Sequence, residues 1–167
     1  MLLASSRVFL LGLLTLPWLW PHTSGPVAGT EPYLVSMALG ALALAIWPAH
    51  DRAGAARLAG WAWLAAALAS SIIALLQYFD LETPLYPLVN MAEPGQAFGN
   101  LRQPNQLATL LVMGALALRW LVQDGRLARA HAGWMGALLL AALAATASRV
   151  GLAELLACGA LVLWWAW

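Results

Sequence analysis

AARLAGWAWLAAALASSIIALLQY, Ala55–Tyr78, holds a single charge, Arg57, in 24 residues. About 20 mostly apolar residues, at 1.5 Å of helix rise each, cross the roughly 30 Å hydrocarbon core of a bilayer. The stretch reads as a membrane-spanning helix, and the chain on either side repeats the pattern. Further spans read at Leu2–Trp20, Tyr33–Ala49, Asn105–Val122, Ala132–Ala147 and Val150–Trp167. Of 167 residues 63% are hydrophobic and 9% charged, against about half and about a quarter in soluble domains. The expectation is an all-α, polytopic membrane helix bundle of about six transmembrane helices, one transmembrane domain over residues 1–167. Its Ala, Leu and Gly richness suits close helix packing in lipid, where small residues let backbones approach.

The first span has one feature of a cleaved signal peptide, a basic residue ahead of an apolar stretch. No clear small-x-small cleavage site follows Trp20, and five more spans follow, so it reads as a retained helix. Arginine placement sets the orientation, because cytoplasmic loops carry the excess of basic residues. Arg7, Arg52, Arg57, Arg119, Arg126 and Arg129 fall on one side; Arg102 and Arg149 fall on the other, with Glu31, Asp80, Glu82 and Glu93. The amino terminus is therefore expected in the cytoplasm. The ten tryptophans are expected near span ends, Trp18 and Trp20 at the outer surface and the rest, including Trp61 and Trp63, at the inner one.

The net charge of +1 gives no reason to expect a nucleic-acid partner, and the lipid bilayer is the partner the composition demands. No metal site or soluble cofactor is implied. Cys158 stands in an apolar run without ligand neighbours and reads as a small core residue; His22, His50 and His131 read as solvated loop residues.

The two outer arginines stand where positive charge is disfavoured. Arg102 precedes the fourth span and Arg149 the sixth, both entering the membrane from outside. A helix N-terminus offers free N–H groups and the positive end of its dipole, and an added guanidinium matches phosphate oxygens bidentately. Two such corners on one face would grip a diphosphate. In GNLRQPNQLATLL, Gly99–Leu111, Gly99 and the earlier Gly95 permit turns closed to other residues, and Pro104 fits a first helical turn. Asn100, Gln103, Asn105 and Gln106 offer amides there. In ATASRVGLAELL, Ala145–Leu156, Thr146 or Ser148 is expected to cap the sixth helix, and Glu154 to counterbalance Arg149 or Arg102. The bland alternative makes Arg102 an interfacial lipid anchor and the amides helix-end satisfaction. The long outer loop, about 79–104, exceeds the usual connection length and is expected to lie on the membrane surface or fold over a site.

The order AFGNLRQPNQLATLL, helix, Arg-rich inner loop, helix, TASRVGLAELL resembles the bacterial O-antigen ligase and polymerase superfamily, in particular its PglL-type protein O-oligosaccharyltransferases. Gly99, Asn100, Arg102, Gln103, Pro104, Asn105 and Gln106 fit the first motif; Ser148 and Arg149 follow in the expected order. The resemblance implies a bacterial inner-membrane enzyme with a periplasmic active face. It would transfer a glycan from an undecaprenyl-diphosphate-linked oligosaccharide donor to a periplasmic acceptor, Ser or Thr of a protein, lipid A core or another glycan. Arg102, Arg149, Asn100, Gln103, Asn105, Gln106 and Ser148 would bind that donor. Family members are much longer and carry a His associated with catalysis in a later periplasmic loop. The chain stops at LVLWWAW, so it is expected to be the N-terminal portion of such a protein, inactive alone. The alternatives are a non-enzymatic transporter or channel piece, against which few polar residues besides Gln77 and Glu154 stand within spans, and a structural subunit.

Overall fold

The structure is a computed structural model that describes residues 2–21, 30–47 and 51–165. His22, His50 and Trp167 lie outside them. Among the described residues six α-helices follow one another: α1 Leu2–Leu19, α2 Glu31–Ile46, α3 Arg52–Tyr78, α4 Pro104–Gln123, α5 Arg129–Ala145 and α6 Arg149–Trp165. No strand occurs among the described residues. Each helix lies within a few residues of the span read for it. Two, over Ala53–Tyr78 and Pro104–Gln123, are long and apolar enough to cross a membrane; those at Ser6–Leu19 and Glu31–Ile46 are apolar but shorter.

The centre is α3, which runs about 40 Å at 1.5 Å per residue. It packs against α1, α4 and α5, while α4 also carries α5 and α6, and α2 lies against α1. The core forms where Leu64, Ala66 and Ala67 of α3 meet Leu107, Leu110, Leu111 and Leu121 of α4 and Leu139 of α5. Small residues set the approach. A Cβ at Gly114 would run into Ala67, and one at Gly60 would lie 2.8 Å from the Trp120 ring. Glycine removes the atoms that would hold the backbones apart.

Charge gathers at one end. Asp51 caps α3 by accepting from the Gly54 N–H at 2.8 Å, a helix-start bond of the kind described for aspartate. Arg7 reaches Asp51 at 3.8 Å. At the same end Arg57 and Arg126 both donate to one oxygen of Asp124, at 3.1 and 3.2 Å. Burial raises the Asp124 pKa, but these two bonds and the two positive charges outweigh it and hold the carboxyl below its ordinary value. The starts of α1 and α3 and the α4–α5 turn therefore share a cationic end, as the arginine spacing led one to expect.

Four expectations change. His131 lies on the first turn of α5, exposed, because that helix begins at Arg129 rather than near Ala132. Cys158 is only half-buried, since α6 packs chiefly on α4 and Gly151 is the buried residue it contributes among those described. Trp61 and Trp63 stand three turns into α3 rather than at its end, Trp61 against the core. Glu154 pairs with neither arginine; its Oε1 accepts from the Thr109 hydroxyl at 3.0 Å.

Candidate functional site

The end opposite the arginine cluster is built from the α3–α4 loop and the α6 start. Gln77, in the last turn of α3, is fully buried. Its Nε2 donates to the carbonyls of Asn90 and Gly99 at 2.8 and 2.9 Å, and its Oε1 accepts from the Phe98 and Gly99 N–H groups at 3.2 and 2.8 Å. One amide thus satisfies four backbone groups that the irregular loop cannot pair by itself.

Asn100 does the same from the loop's other side. It is 1% exposed. Its Nδ2 donates to Leu19 and Leu88 carbonyls, both at 2.9 Å, and its Oδ1 accepts from the Asn90 N–H at 3.0 Å. These bonds tie the loop to the end of α1. Glu82 is buried as well, accepting from the Ala92 N–H at 3.1 Å. The loop is therefore a folded cap on α3, with a short 3-10 turn at Thr83–Leu85. Left-handed glycines, Gly95 at φ +80° and Gly99 at φ +62°, make the turns expected of them.

Beyond Asn100 the chain turns outward. Arg102 has φ +68°, left-handed in a residue with a full side chain; such a conformation costs about 1–3 kcal/mol and persists only where the surroundings impose it. Gln103 returns to extended backbone and Pro104 opens α4. Gln103 stands at the cap position; its carbonyl accepts from the Leu107 N–H at 3.2 Å but its side chain makes no cap bond, and Gln103, Asn105 and Gln106 are exposed.

The start of α6 repeats this geometry. Ala147 is left-handed, φ +50°, two residues before the helix begins at Arg149. Ser148 is the cap. Its Oγ accepts from the Gly151 N–H at 3.0 Å and donates to Asn105 Oδ1 at 2.8 Å. Thr146 Oγ1 supports it, accepting from the Ser148 N–H at 3.2 Å. One turn below, Thr109 bonds Glu154, and Gly151 lies against Ala108 so closely that an added Cβ would collide with it.

The α4 and α6 starts thus meet through Asn105 and Ser148. Arg102 stands three residues before Asn105, and Arg149 directly follows Ser148. Among the described residues neither guanidinium has a hydrogen-bond or ion-pair partner. Asn105 and Ser148 come together; Arg102 and Arg149 adjoin them in the chain, as do Gln103 and Gln106; Asn100 is drawn inside the loop. The roles of Gln77 and Glu82 escaped the sequence reading. A lone Gln at the end of an apolar helix, before a long irregular loop, was the available signal for the first, because such a loop needs donors and acceptors from somewhere.

Fold and site together describe an all-helical protein with membrane-length central helices and a polar, cation-bearing corner at one end. Comparison with known proteins reaches one half of that corner. Residues 97–122 match the family described as Protein glycosylation ligase, PglL_A. Over 99 residues the chain is 28% identical to the General O-oligosaccharyltransferase of Acinetobacter baylyi, a match that takes in 59% of this chain and 17% of that protein. No solved structure matches. The resemblance to PglL-type proteins is thus borne out on the segment that carries its first motif, and the chain spans a minor part of the relative's length.

Proposed function

We propose that this chain supplies the donor-phosphate grip of a multi-pass membrane glycosyltransferase of the O-oligosaccharyltransferase type. The observation that carries the reading is the Ser148–Asn105 bond, which joins two helix N-termini that each bring a partnerless arginine. Arg102 and Arg149 hold the diphosphate of a lipid-linked oligosaccharide, with Gln103, Asn105, Gln106 and Ser148 around it and Asn100 fixing the loop from within. The six-to-two arginine split supports a corner on the periplasmic face of a bacterial inner membrane, with the amino terminus inside. In the reaction an acceptor hydroxyl oxygen, of protein Ser or Thr or of lipid A core, bonds to the anomeric carbon as the sugar–phosphate bond breaks. The phosphate oxygen takes the electron pair, and the hydroxyl proton passes to a base not assigned to any residue here. The two guanidiniums and helix dipoles offset the charge that grows on the leaving diphosphate. The similarity to a protein glycosylation ligase supports this class of donor and acceptor.

The test is binding, which the corner performs before any chemistry. The chain is reconstituted in lipid nanodiscs and titrated with undecaprenyl diphosphate. Arg102→Lys and Arg149→Lys keep the charge but lose the planar fork. At about 1.5–3 kcal/mol per charged hydrogen bond, each should weaken binding about 10- to 100-fold. Arg102→Gly separates function from fold. It should abolish the arginine's share of binding, yet leave thermal stability level or raise it by up to about 1 kcal/mol, because glycine accepts the left-handed conformation freely. Unchanged affinity in all three variants would make these arginines lipid anchors and remove the proposal.

A further inference from the structure

A groove of about 600 Å³ runs up the bundle between α1, α2 and α3 and ends at Leu101 and Gln106. Its volume lies within the roughly 300–1,000 Å³ typical of small-molecule sites. Leu13, Leu14 and Pro17 of α1 form one wall and Ala62 and Trp63 of α3 another. Across from them α2 contributes Gly40, where nothing stands within 4 Å of the place a Cβ would take. The lining is apolar except for Ser36 and, at the upper end, Gln106. Leu101 directly precedes Arg102, and Gln106 lies in the first turn of α4. The groove and the arginine corner therefore share a border.

Resting on the reading above, the geometry points to this groove as the seat of the donor's hydrocarbon chain, with the phosphates at Arg102 and Arg149. The occupant must be apolar along most of its length and anionic at one end, which is the chemistry of a lipid diphosphate. Chain burial here brings no hydrophobic gain, because the surrounding lipid is equally apolar. What the groove adds is shape: small residues on α2 and α3 leave room, and Leu13, Leu14, Pro17 and Trp63 wall it. It aims the chain so that its head group emerges beside Gln106. The consequence is discrimination by chain, separable from affinity for phosphate.

The experiment uses a polyprenyl diphosphate bearing a diazirine in its chain, in nanodiscs, with mass-spectrometric mapping of the labelled residues. A phosphatidylglycerol with a diazirine in its acyl chain is the control. Label from the diphosphate should concentrate on Leu13–Trp18 and Ser36–Gly40, and the phospholipid should label these no more than other lipid-facing helix. Gly40→Phe fills the groove from a position with open space. It should cut that labelling about tenfold, the loss matching about 1.4 kcal/mol of packing. Gly12→Phe, also at an open position but outside the lining, should leave it unchanged. Inorganic diphosphate, which has no chain, should bind wild type and Gly40→Phe alike. If inorganic diphosphate binds but the chain label spreads evenly, or the phospholipid labels the groove as strongly, the groove assignment falls while the phosphate grip stands. If inorganic diphosphate and lipid diphosphate both fail to bind, the reading beneath it falls first.

Discussion

Six residues of one motif point two ways. Gly99 and Asn100 face the interior, where their backbone and amide groups are matched by Gln77, Asn90, Leu88 and Leu19. Arg102, Gln103, Asn105 and Gln106 are turned out, and of these side chains Asn105 alone is held, by Ser148. In the inner half the Gly99 backbone and the Asn100 amide are bonded, and in the outer half most side chains have no partner among the described residues. A ligand site needs both: a frame whose polar groups are already satisfied, and side chains left over. The left-handed Arg102 is the joint between them. If the division is real, substitutions in the inner half should lower stability first and binding as a consequence, and those in the outer half should do the reverse.

The largest effect should come from breaking the frame. Gln77→Leu fills the same space but leaves two N–H groups and two carbonyls of the loop without partners. An orphaned buried group costs about 1–3 kcal/mol, so a loss of roughly 4 kcal/mol or more is expected, enough to unfold the cap rather than the bundle. Limited proteolysis within residues 79–103 should accelerate strongly while the helical circular dichroism remains. Asn100→Leu should behave likewise and also free the end of α1. A loop that stays protease-resistant in both variants would mean that the inner half is not the frame.

A smaller effect is expected where the two corners are pressed together. Gly151→Val sets a branched side chain against Ala108 and Leu143. Overpacking costs about 1–3 kcal/mol when neighbours cannot move. Here α6 packs chiefly on α4 and meets Leu143 of α5 at its first turn, so it can shift, and the cost should lie near the low end. Binding of undecaprenyl diphosphate should fall about tenfold all the same, for about 1.4 kcal/mol of lost convergence, because Arg149 travels with α6. Intact binding at reduced stability would show that Arg149 does not share the ligand with Arg102.

The same division explains what could be read in advance. All six helices were visible, because apolar length depends on composition and not on partners. Pro104 gave away one helix start, and the pair Thr146 or Ser148 another, of which Ser148 is the cap. The shared corner was visible as well, since up–down connectivity sends both N-termini to one end. Hidden were the contacts that depend on where distant residues meet. Asn100 could not be told from Asn105, five residues on, because which amide turns inward is decided by Leu19, 81 residues away. Glu154 was matched to an arginine on charge alone, but helix register sets it against Thr109. The groove left no trace in any single segment, being the gap between three helices and a loop end.

The smallest effect gives the sharpest reading of the outer half. Asn105 Oδ1 accepts the Ser148 hydroxyl in an exposed setting. Asn105→Ala removes that bond and should cost about 0.5–1 kcal/mol, since solvent replaces part of it. Asn105→Asp keeps an acceptor for Ser148 and adds a negative charge in the first turn of α4. A carboxylate there gains about 0.3–1 kcal/mol from the helix dipole, so stability should hold or rise slightly. A phosphate approaching Arg102 and Arg149 meets the same carboxylate as a repulsion. Aspartate should therefore weaken diphosphate binding more than alanine does, while being the more stable of the two. Melting temperature and affinity, measured on the same nanodisc samples, should order the two variants oppositely. If the more stable variant were also the better binder, Asn105 would belong with Asn100 to the frame, and the motif would not divide where the structure divides it.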